Sequence, residues 1–185
     1  MKLRLFFAAT VSMIASACAP VTTPTASPPT QVPGSGSSQN FTLTSSAFSE
    51  GGNIPVQFTC SGAGISPPLT WSDAPANTKS FVLIVDDPDA PGGTFTHWVA
   101  FDIPATQTEI AQGAKSIGKG GKNGRGQTGY TGPCPPSGTH RYFFTLYALD
   151  VATLGLNDGA ARAEVESAMK LHTLAITQLM GRYSK

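Results

Sequence analysis

Residues 81–104, FVLIVDDPDAPGGTFTHWVAFDIP, determine the interpretation of the rest of the chain. The apolar run at 81–85 is rich in β-branched residues and predicts a strand that is buried on both faces. The stretch 95–101 alternates, which predicts a second strand with His97 and Val99 on the same face. Together the two strands predict a hairpin whose connection is too long to be a simple turn.

The connection between these strands carries carboxylates. Pro88 favours an extended conformation at Asp87, and an extended chain places Asp87 and Asp89 on the same side. Both carboxylates would then lie at a strand end, across the hairpin from His97, which indicates a binding or catalytic site. Asp-Pro pairs are also common in turns, so turn formation is an alternative explanation.

The N-terminal region, residues 1–17, predicts an export signal of the lipoprotein type. Two basic residues precede an apolar run at 5–14, and the small residues 15–17 follow. The apolar run is shorter than the 20 or so residues of a membrane span. Cys18 stands where a bacterial lipoprotein is cleaved and lipidated. Because Ala15 occupies a position where Leu is more usual, secretory cleavage without lipidation remains an alternative.

Composition divides the remaining chain into a tether and a domain. Residues 18–40 are uncharged and rich in Pro, Ser and Thr, which predicts a disordered tether. Residues 41–185 form one domain of ordinary size. Removing the signal leaves 10 basic residues (12 minus 2) against 11 acidic ones, so the mature chain is nearly neutral. Such a charge balance argues against nucleic-acid binding. From the export signal and Cys18 we expect the protein in the cell envelope, with a lipid anchor as the only membrane attachment.

The first part of the domain is rich in β-structure. Short strand-like segments at 41–44, 56–59 and 69–71 alternate with Gly, Pro and Ser. This spacing favours a mainly β fold of the sandwich type.

A basic loop at 118–126, GKGGKNGRG, lies in a region without acidic residues. For each lysine singly a solvated surface loop is the better explanation, whereas the cluster of Lys119, Lys122 and Arg125 would suit the rim of an anion site. The loop lacks the strand and the GxxxxGK[ST] pattern of a nucleotide-binding P-loop.

The second candidate motif covers residues 129–142, GYTGPCPPSGTHRY. A Gly/Pro loop leads into a predicted strand at 140–149, and His140 and Tyr142 share one face of that strand. Taken singly, each of these side chains could also be a packing residue.

The sequence DPDAP followed by HW, and then YTGPCPPSGTHRYFFTLYAL, resembles the phosphatidylethanolamine-binding protein family, in particular its bacterial Raf kinase inhibitor-like branch. The resemblance covers residues 41–185. It implies an antiparallel β-sandwich with C-terminal helices packed beside it, and a small anion-binding pocket at one end. By motif match, the ligand-binding residues would be Asp87, Asp89, His97, Gly132, Pro133, Cys134, His140 and Tyr142.

The C-terminal segment changes its hydrophobic period. Apolar residues between Val165 and Leu179 recur at spacings of three and four, which predicts one long helix or two shorter ones. Asp158 could cap the start, Gly181 would mark the end, and His172 within the helix is interpreted as a packing residue.

The candidate site suggests a binding module. A carboxylate next to an imidazole favours the cationic form, so we expect His97 and His140 to attract an anion as cations, each held by an Asp. Loop N–H groups and the Tyr142 hydroxyl would complete a cradle for a phosphate or carboxylate group. The resemblance implies an inhibitor or scaffold that acts on other proteins, and whether its target is a kinase or a protease stays open. We expect no catalytic residue, cofactor or metal.

The alternative function is hydrolysis at the same pocket. Two His and two Asp could hold a metal ion, and Ser137, close to His140 in sequence, suggests acyl transfer. Neither an HExxH motif nor a GxSxG elbow is present.

Cysteine usage predicts a disulfide bond. If Cys18 is lipidated, Cys60 and Cys134 remain as an even pair in an exported chain, and such pairs tend to be bridged. Two buried thiols are the alternative.

Overall fold

The computed structural model describes residues 40–115 and 117–185 and has a mainly β architecture. Its strands pair antiparallel in two sheets, with strand orders β1-β2-β5 and β6-β4-β3-β7-β8. The elements are β1 (Thr42–Thr44), β2 (Leu69–Ser72), β3 (Ser80–Asp87), β4 (Phe95–Pro104), β5 (Glu109–Ile110), β6 (Lys119–Gly121), β7 (Thr139–Leu149), α1 (Arg162–Met169) and β8 (Thr173–Ser184). The predicted β fold and the hairpin formed by β3 and β4 are confirmed.

Strand β3 is the centre of the larger sheet and is buried on both faces, as its apolar sequence predicted. Leu83 and Val85 contribute to the core between the two sheets. Val82 and Ile84 point the other way, into a smaller core that α1 covers through Val165. The central strand is therefore fixed from both sides, and its C-terminal end is a rigid platform for a site.

The core between the sheets is rich in aromatic residues. Trp71 of the small sheet meets Phe81 of the large sheet edge-on, with ring centroids 5.4 Å apart. Phe48 packs against Phe144 with a centroid distance of 5.6 Å. Such offset and edge-on pairs add to the burial of apolar surface that holds a sandwich together.

The helical prediction for the C-terminal segment is correct only for α1. From Thr173 onward the chain forms β8, which pairs with β7 along its whole length, so the predicted helix through Leu179 is wrong. The β-branched residues Thr173, Ile176 and Thr177 favour a strand, and pairing with the neighbouring strand overrides the three- and four-residue apolar spacing.

Three residues assigned to that helix have other roles. The Asp158 carboxylate accepts a hydrogen bond from a backbone N–H of β6 and does not cap α1. Gly181 lies inside β8, where an added Cβ would come within 2.5 Å of Ile54, so close packing explains this glycine. His172 is in the turn before β8, and its Nδ1 lies 2.9 Å from a carboxylate oxygen of Asp150.

The strand predictions for the first part of the domain are mostly correct. The segments at 41–44 and 69–71 correspond to β1 and β2. The segment at 56–59 does not form a strand. It makes a single 3-10 turn, closed by hydrogen bonds to carbonyls one turn earlier, that buries Phe58.

The predicted signal peptide, the lipidated Cys18 and all but the last residue of the predicted tether lie outside the described residues. Within the described part of the chain, no helix is both long enough and apolar enough to span a bilayer.

Candidate functional site

A pocket of about 190 Å³ opens where β3 ends and where β4 and β7 begin. We call it the Asp87 pocket. Both predicted motifs and the basic loop contribute to its wall. The lining residues are Asp87, Ala90, Phe95, His97, Arg125, Thr131, Gly132, Cys134, Pro135, Pro136 and His140.

The floor of the pocket contains a buried carboxylate and imidazole. Asp87 is only 4% exposed, and its Oδ2 lies 2.7 Å from Nδ1 of His140. Because an ionised carboxylate only accepts hydrogen bonds, Nδ1 of His140 carries the proton and donates it. Nε2 of His140 is therefore the ring nitrogen left for a ligand.

A β-bulge turns His97 into the pocket. The register between β3 and β4 shifts between the pairs at Trp98 and at Thr96, which leaves His97 as an extra residue. His97 packs edge-on against Tyr142, with ring centroids 5.2 Å apart, on the side of the inter-sheet core. Val99 points into the opposite core under α1, so the prediction that His97 and Val99 share a face is wrong.

The environment of His97 favours the neutral imidazole. Its Nδ1 lies 2.6 Å from the carbonyl oxygen of Thr131, which can only accept a hydrogen bond, so Nδ1 carries the proton. Burial lowers the pKa of His97 below its usual value, and the positive charge of Arg125 acts in the same direction. The Thr131 bond and the Asp87 charge oppose this shift only in part. The Nδ1 atom of His97 is thus held by the Thr131 carbonyl and not by an Asp, and the lowered pKa disfavours the cationic form that we expected.

The carboxylate of Asp89 does not line the Asp87 pocket. The chain turns at Pro88, and Oδ1 of Asp87 accepts the backbone N–H of Asp89 at 2.9 Å. Asp89 instead accepts three hydrogen bonds from Arg141, from the backbone N–H, Nε and Nη2, at 2.9, 2.9 and 2.7 Å. These hydrogen bonds lower the pKa of Asp89 to about 2. The structure thus separates the two carboxylates that the sequence placed together, because the turn ends the extended backbone that this prediction required.

Tyr142 and Pro133 support the pocket from behind. Tyr142 is fully buried, and burial, followed by the nearby negative charge of Asp87, raises the pKa of its hydroxyl. The carbonyl oxygen of Pro133 accepts the backbone N–H of Cys60 at 3.0 Å. Both residues belong to the predicted ligand-binding set. Neither lines the pocket, so they support the lining residues and do not face the ligand space.

The wall at 131–136 is tied to the 3-10 turn by several contacts. Cys134 forms a disulfide with Cys60, with Cα atoms 5.4 Å apart, which confirms the predicted pair. The hydroxyl of Tyr130 donates to the carbonyl oxygen of Phe58 at 2.9 Å. A Cβ on Gly132 would come within 2.8 Å of that same oxygen, so only glycine allows this close approach.

The basic loop is held in place by Asn123, which sequence reasoning did not identify. The side chain of Asn123 is buried and accepts the backbone N–H groups of Arg125 and Gln127 at 2.9 and 3.2 Å. Its Nδ2 donates to the Gly129 carbonyl and to Oγ1 of Thr131, both at 3.1 Å. The Asn-Gly pair at 123–124 is a recognisable turn pattern and could have indicated this role. As a result Arg125, expected only on a rim, lies in the pocket lining.

The two arrangements considered for hydrolysis, a metal site and a Ser137–His140 pair, are not formed by the described residues. Within residues 40–115 and 117–185, no three His, Cys, Asp or Glu side chains come together to hold one metal ion. Ser137 lies outside the pocket lining, and in the described part of the chain it makes no hydrogen bond to His140.

Comparison with known sequences identifies relatives over most of the chain. The family model for the phosphatidylethanolamine-binding protein matches residues 44–184. The chain is 46% identical over 149 residues to a UPF0098 protein of Methanothermobacter thermautotrophicus, covering 77% of this chain and 98% of that protein. It is 48% identical over 148 residues to a UPF0098 protein of Aquifex aeolicus, covering 76% of this chain and 86% of the relative.

Comparison with solved structures also finds proteins of this family. A phosphatidylethanolamine-binding protein homologue from Chlamydia trachomatis matches with a TM-score of 0.76 and 43% identity, covering 79% of this chain and 98% of its own. Escherichia coli YbcL, described as a new member of the mammalian PEBP family, matches with a TM-score of 0.74 and 31% identity. That match covers 79% of this chain and 99% of YbcL.

Proposed function

Because the chain belongs to the phosphatidylethanolamine-binding protein family, we propose that it is a binding and regulatory protein whose Asp87 pocket holds a small phosphate- or carboxylate-bearing group. One observation supports this proposal most directly. Arg125, a permanent cation, lines the same small pocket as the two imidazoles of His97 and His140.

Arg125 supplies the attraction for an anion. Its guanidinium cannot lose its proton near neutral pH, and among the described residues no carboxylate forms an ion pair with it. Planar guanidinium groups bind phosphate and carboxylate oxygens through paired hydrogen bonds. The charge of Asp87 opposes anion binding, but this carboxylate is directed at His140.

The two histidines give the pocket different hydrogen-bonding roles. Neutral His97 has its Nδ1–H bound to Thr131, so its Nε2 accepts a hydrogen bond from a ligand hydroxyl or ammonium group. His140, whose Nδ1 donates to Asp87, presents Nε2 to the ligand, and this atom donates when the ring is protonated.

The loop offers few backbone donors. Three of the five residues at 132–136 are proline and have no N–H, so only Gly132 and Cys134 can donate from this wall. Binding therefore depends on side chains more than the sequence suggested. A volume of about 190 Å³ admits a head group and not a whole lipid or peptide.

We further propose that the protein acts outside the cytoplasm, attached to a membrane through lipidated Cys18, and that occupancy of the pocket regulates a protein target such as a kinase or protease. The Cys60–Cys134 disulfide is compatible with an oxidising compartment.

Calorimetric titration with ethyl phosphate at pH 7 tests the binding proposal. We expect Arg125→Gln to weaken binding about fivefold to tenfold, as the loss of one charge-assisted contact at a partly open site implies. Arg125→Lys should restore part of the affinity. Lys79→Gln is the matched control, since Lys79 is exposed and precedes the opposite end of β3. Equal affinities for wild type and Arg125→Gln, or no binding by the wild type, would refute the proposal.

A further inference from the structure

A second, open depression lies beside the Asp87 pocket. It has a volume of about 530 Å³, and residues 137–139, which line it, connect Pro136 and His140 of the pocket lining. His140 lines both spaces. The hydroxyl-bearing residues Ser137 and Thr139 and the exposed Arg182 face the depression.

The charges in this depression are unbalanced in favour of cations. Arg141 and Arg182 are directly opposite each other in the register of β7 and β8, an arrangement that two like charges disfavour. Arg141 is neutralised by Asp89, whose carboxylate already accepts three hydrogen bonds. In the described part of the chain, Arg182 has no carboxylate within ion-pair distance, so its charge is uncompensated.

The size of the Asp87 pocket determines where the rest of a ligand lies. A space of about 190 Å³ holds one small anionic group, so the rest of any larger ligand has to extend out of the pocket opening. Residues 137–139 follow Pro136 of the pocket lining and line the neighbouring depression. His140 and Arg182 line the same depression, so a short chain that extends from the pocket past His140 comes near Arg182.

From these observations we propose that the depression is a second anion subsite, and that the ligand class is a small molecule with two anionic groups joined by a short linker. This inference rests on the function proposed for the Asp87 pocket. The first group binds with Arg125 inside the pocket. The second binds the guanidinium of Arg182, with the hydroxyls of Ser137 and Thr139 as additional donors.

The test compares ligands with one and two phosphates on the full-length protein. Calorimetry at fixed ionic strength measures the affinities of butyl phosphate and of the bisphosphates of propane-1,3-diol and hexane-1,6-diol. We expect at least one bisphosphate to bind about fivefold more tightly than the monophosphate, as one added exposed charge contact implies. Arg182→Gln should abolish this gain and leave the monophosphate affinity unchanged, while Arg182→Lys should retain part of it.

Lys79→Gln serves as the control for the loss of one surface charge and should keep the full gain. If the bisphosphates bind no more tightly than butyl phosphate, or if Arg182→Gln keeps the gain, the second subsite is refuted while the Asp87 pocket stands. If neither class of phosphate binds to the wild type, the proposed function itself fails, and the subsite fails with it.

Discussion

Removing the disulfide separates what stabilises the fold from what shapes the site. The variant Cys60→Ser/Cys134→Ser deletes the bond without leaving a free thiol in the described domain. Serine is close to cysteine in size, so the pocket wall at position 134 changes little. We expect this variant to lose stability and keep its ligand affinity.

The magnitude follows from the length of the chain that the bond closes. Cys60 and Cys134 are 74 residues apart, and the chain-entropy relation for such a loop gives about 4.5 kcal/mol of stabilisation. For the 145 residues of the domain, the entropy of unfolding is about 0.3 kcal/mol/K, so the midpoint of thermal unfolding should fall by about 15 °C.

The affinity should survive because other contacts hold the same wall. Thr131 exchanges two hydrogen bonds with His97, one through the backbone N–H and one through the carbonyl. Tyr130 is bound to the carbonyl of Phe58. These contacts remain when the bond is removed, so we expect the affinity for ethyl phosphate at 20 °C to change by less than about twofold, since no charge-assisted contact is lost.

Urea unfolding measures the free energy of unfolding, and titration calorimetry measures the affinity for ethyl phosphate. Wild-type protein that has been reduced and alkylated provides a second form without the disulfide. A loss below about 1 kcal/mol would contradict the chain-entropy reasoning. Loss of ligand binding in a folded, bond-free protein would contradict the conclusion that non-covalent contacts maintain the wall.

Three further predictions concern the wall, the buried imidazole and the N-terminus. Gly132→Ala should cost about 1–3 kcal/mol of unfolding free energy and weaken ethyl phosphate binding, because the new Cβ meets the Phe58 carbonyl and Thr59; wild-type stability would contradict this. Burial holds the pKa of His97 below 6.5, so its contribution to stability is complete above pH 6.5 and is lost as the pH falls towards the folded value. Urea unfolding from pH 8 to 5 should therefore show a smaller acid loss for His97→Gln than for wild type, and equal losses would exclude His97 as the responsible group. Cys18→Ser should release the protein from the membrane fraction, and an unchanged distribution with no acyl mass on the wild type would refute lipidation.

The sequence was informative where local pattern and tertiary structure agree. The apolar β-branched run at 81–85 predicted the central strand correctly, because a strand buried on both faces has apolar residues at every position. Because only Cys60 and Cys134 remain once Cys18 is set aside, the disulfide between them was predicted correctly. The motif at 129–142 indicated both His140 and the loop of the pocket wall.

Partner strands and irregularities were beyond the reach of local pattern. The residues of β8 have an apolar spacing that suits a helix, and pairing with the neighbouring β7, together with the β-branched residues, decides for a strand. The bulge at His97 reverses the face to which that side chain points. The alternation of apolar and polar residues in the sequence does not indicate that one extra residue is present. Asp89 was misplaced because the turn at Pro88 ends the extended backbone, and because its partner, Arg141, is 52 residues away in sequence.

The order of strands in the large sheet has a consequence for how the protein acquires its site. β3 pairs with β7 across a separation of more than 50 residues, and β7 pairs with β8 on its other side. Pairings so distant in sequence form slowly, on the millisecond-to-second scale typical of β-sandwiches. Asp87 lies on β3 and His140 on β7, so the pocket floor forms only when these two distant strands have paired. We therefore expect ligand binding to appear late in refolding, together with the pairing of β3 and β7.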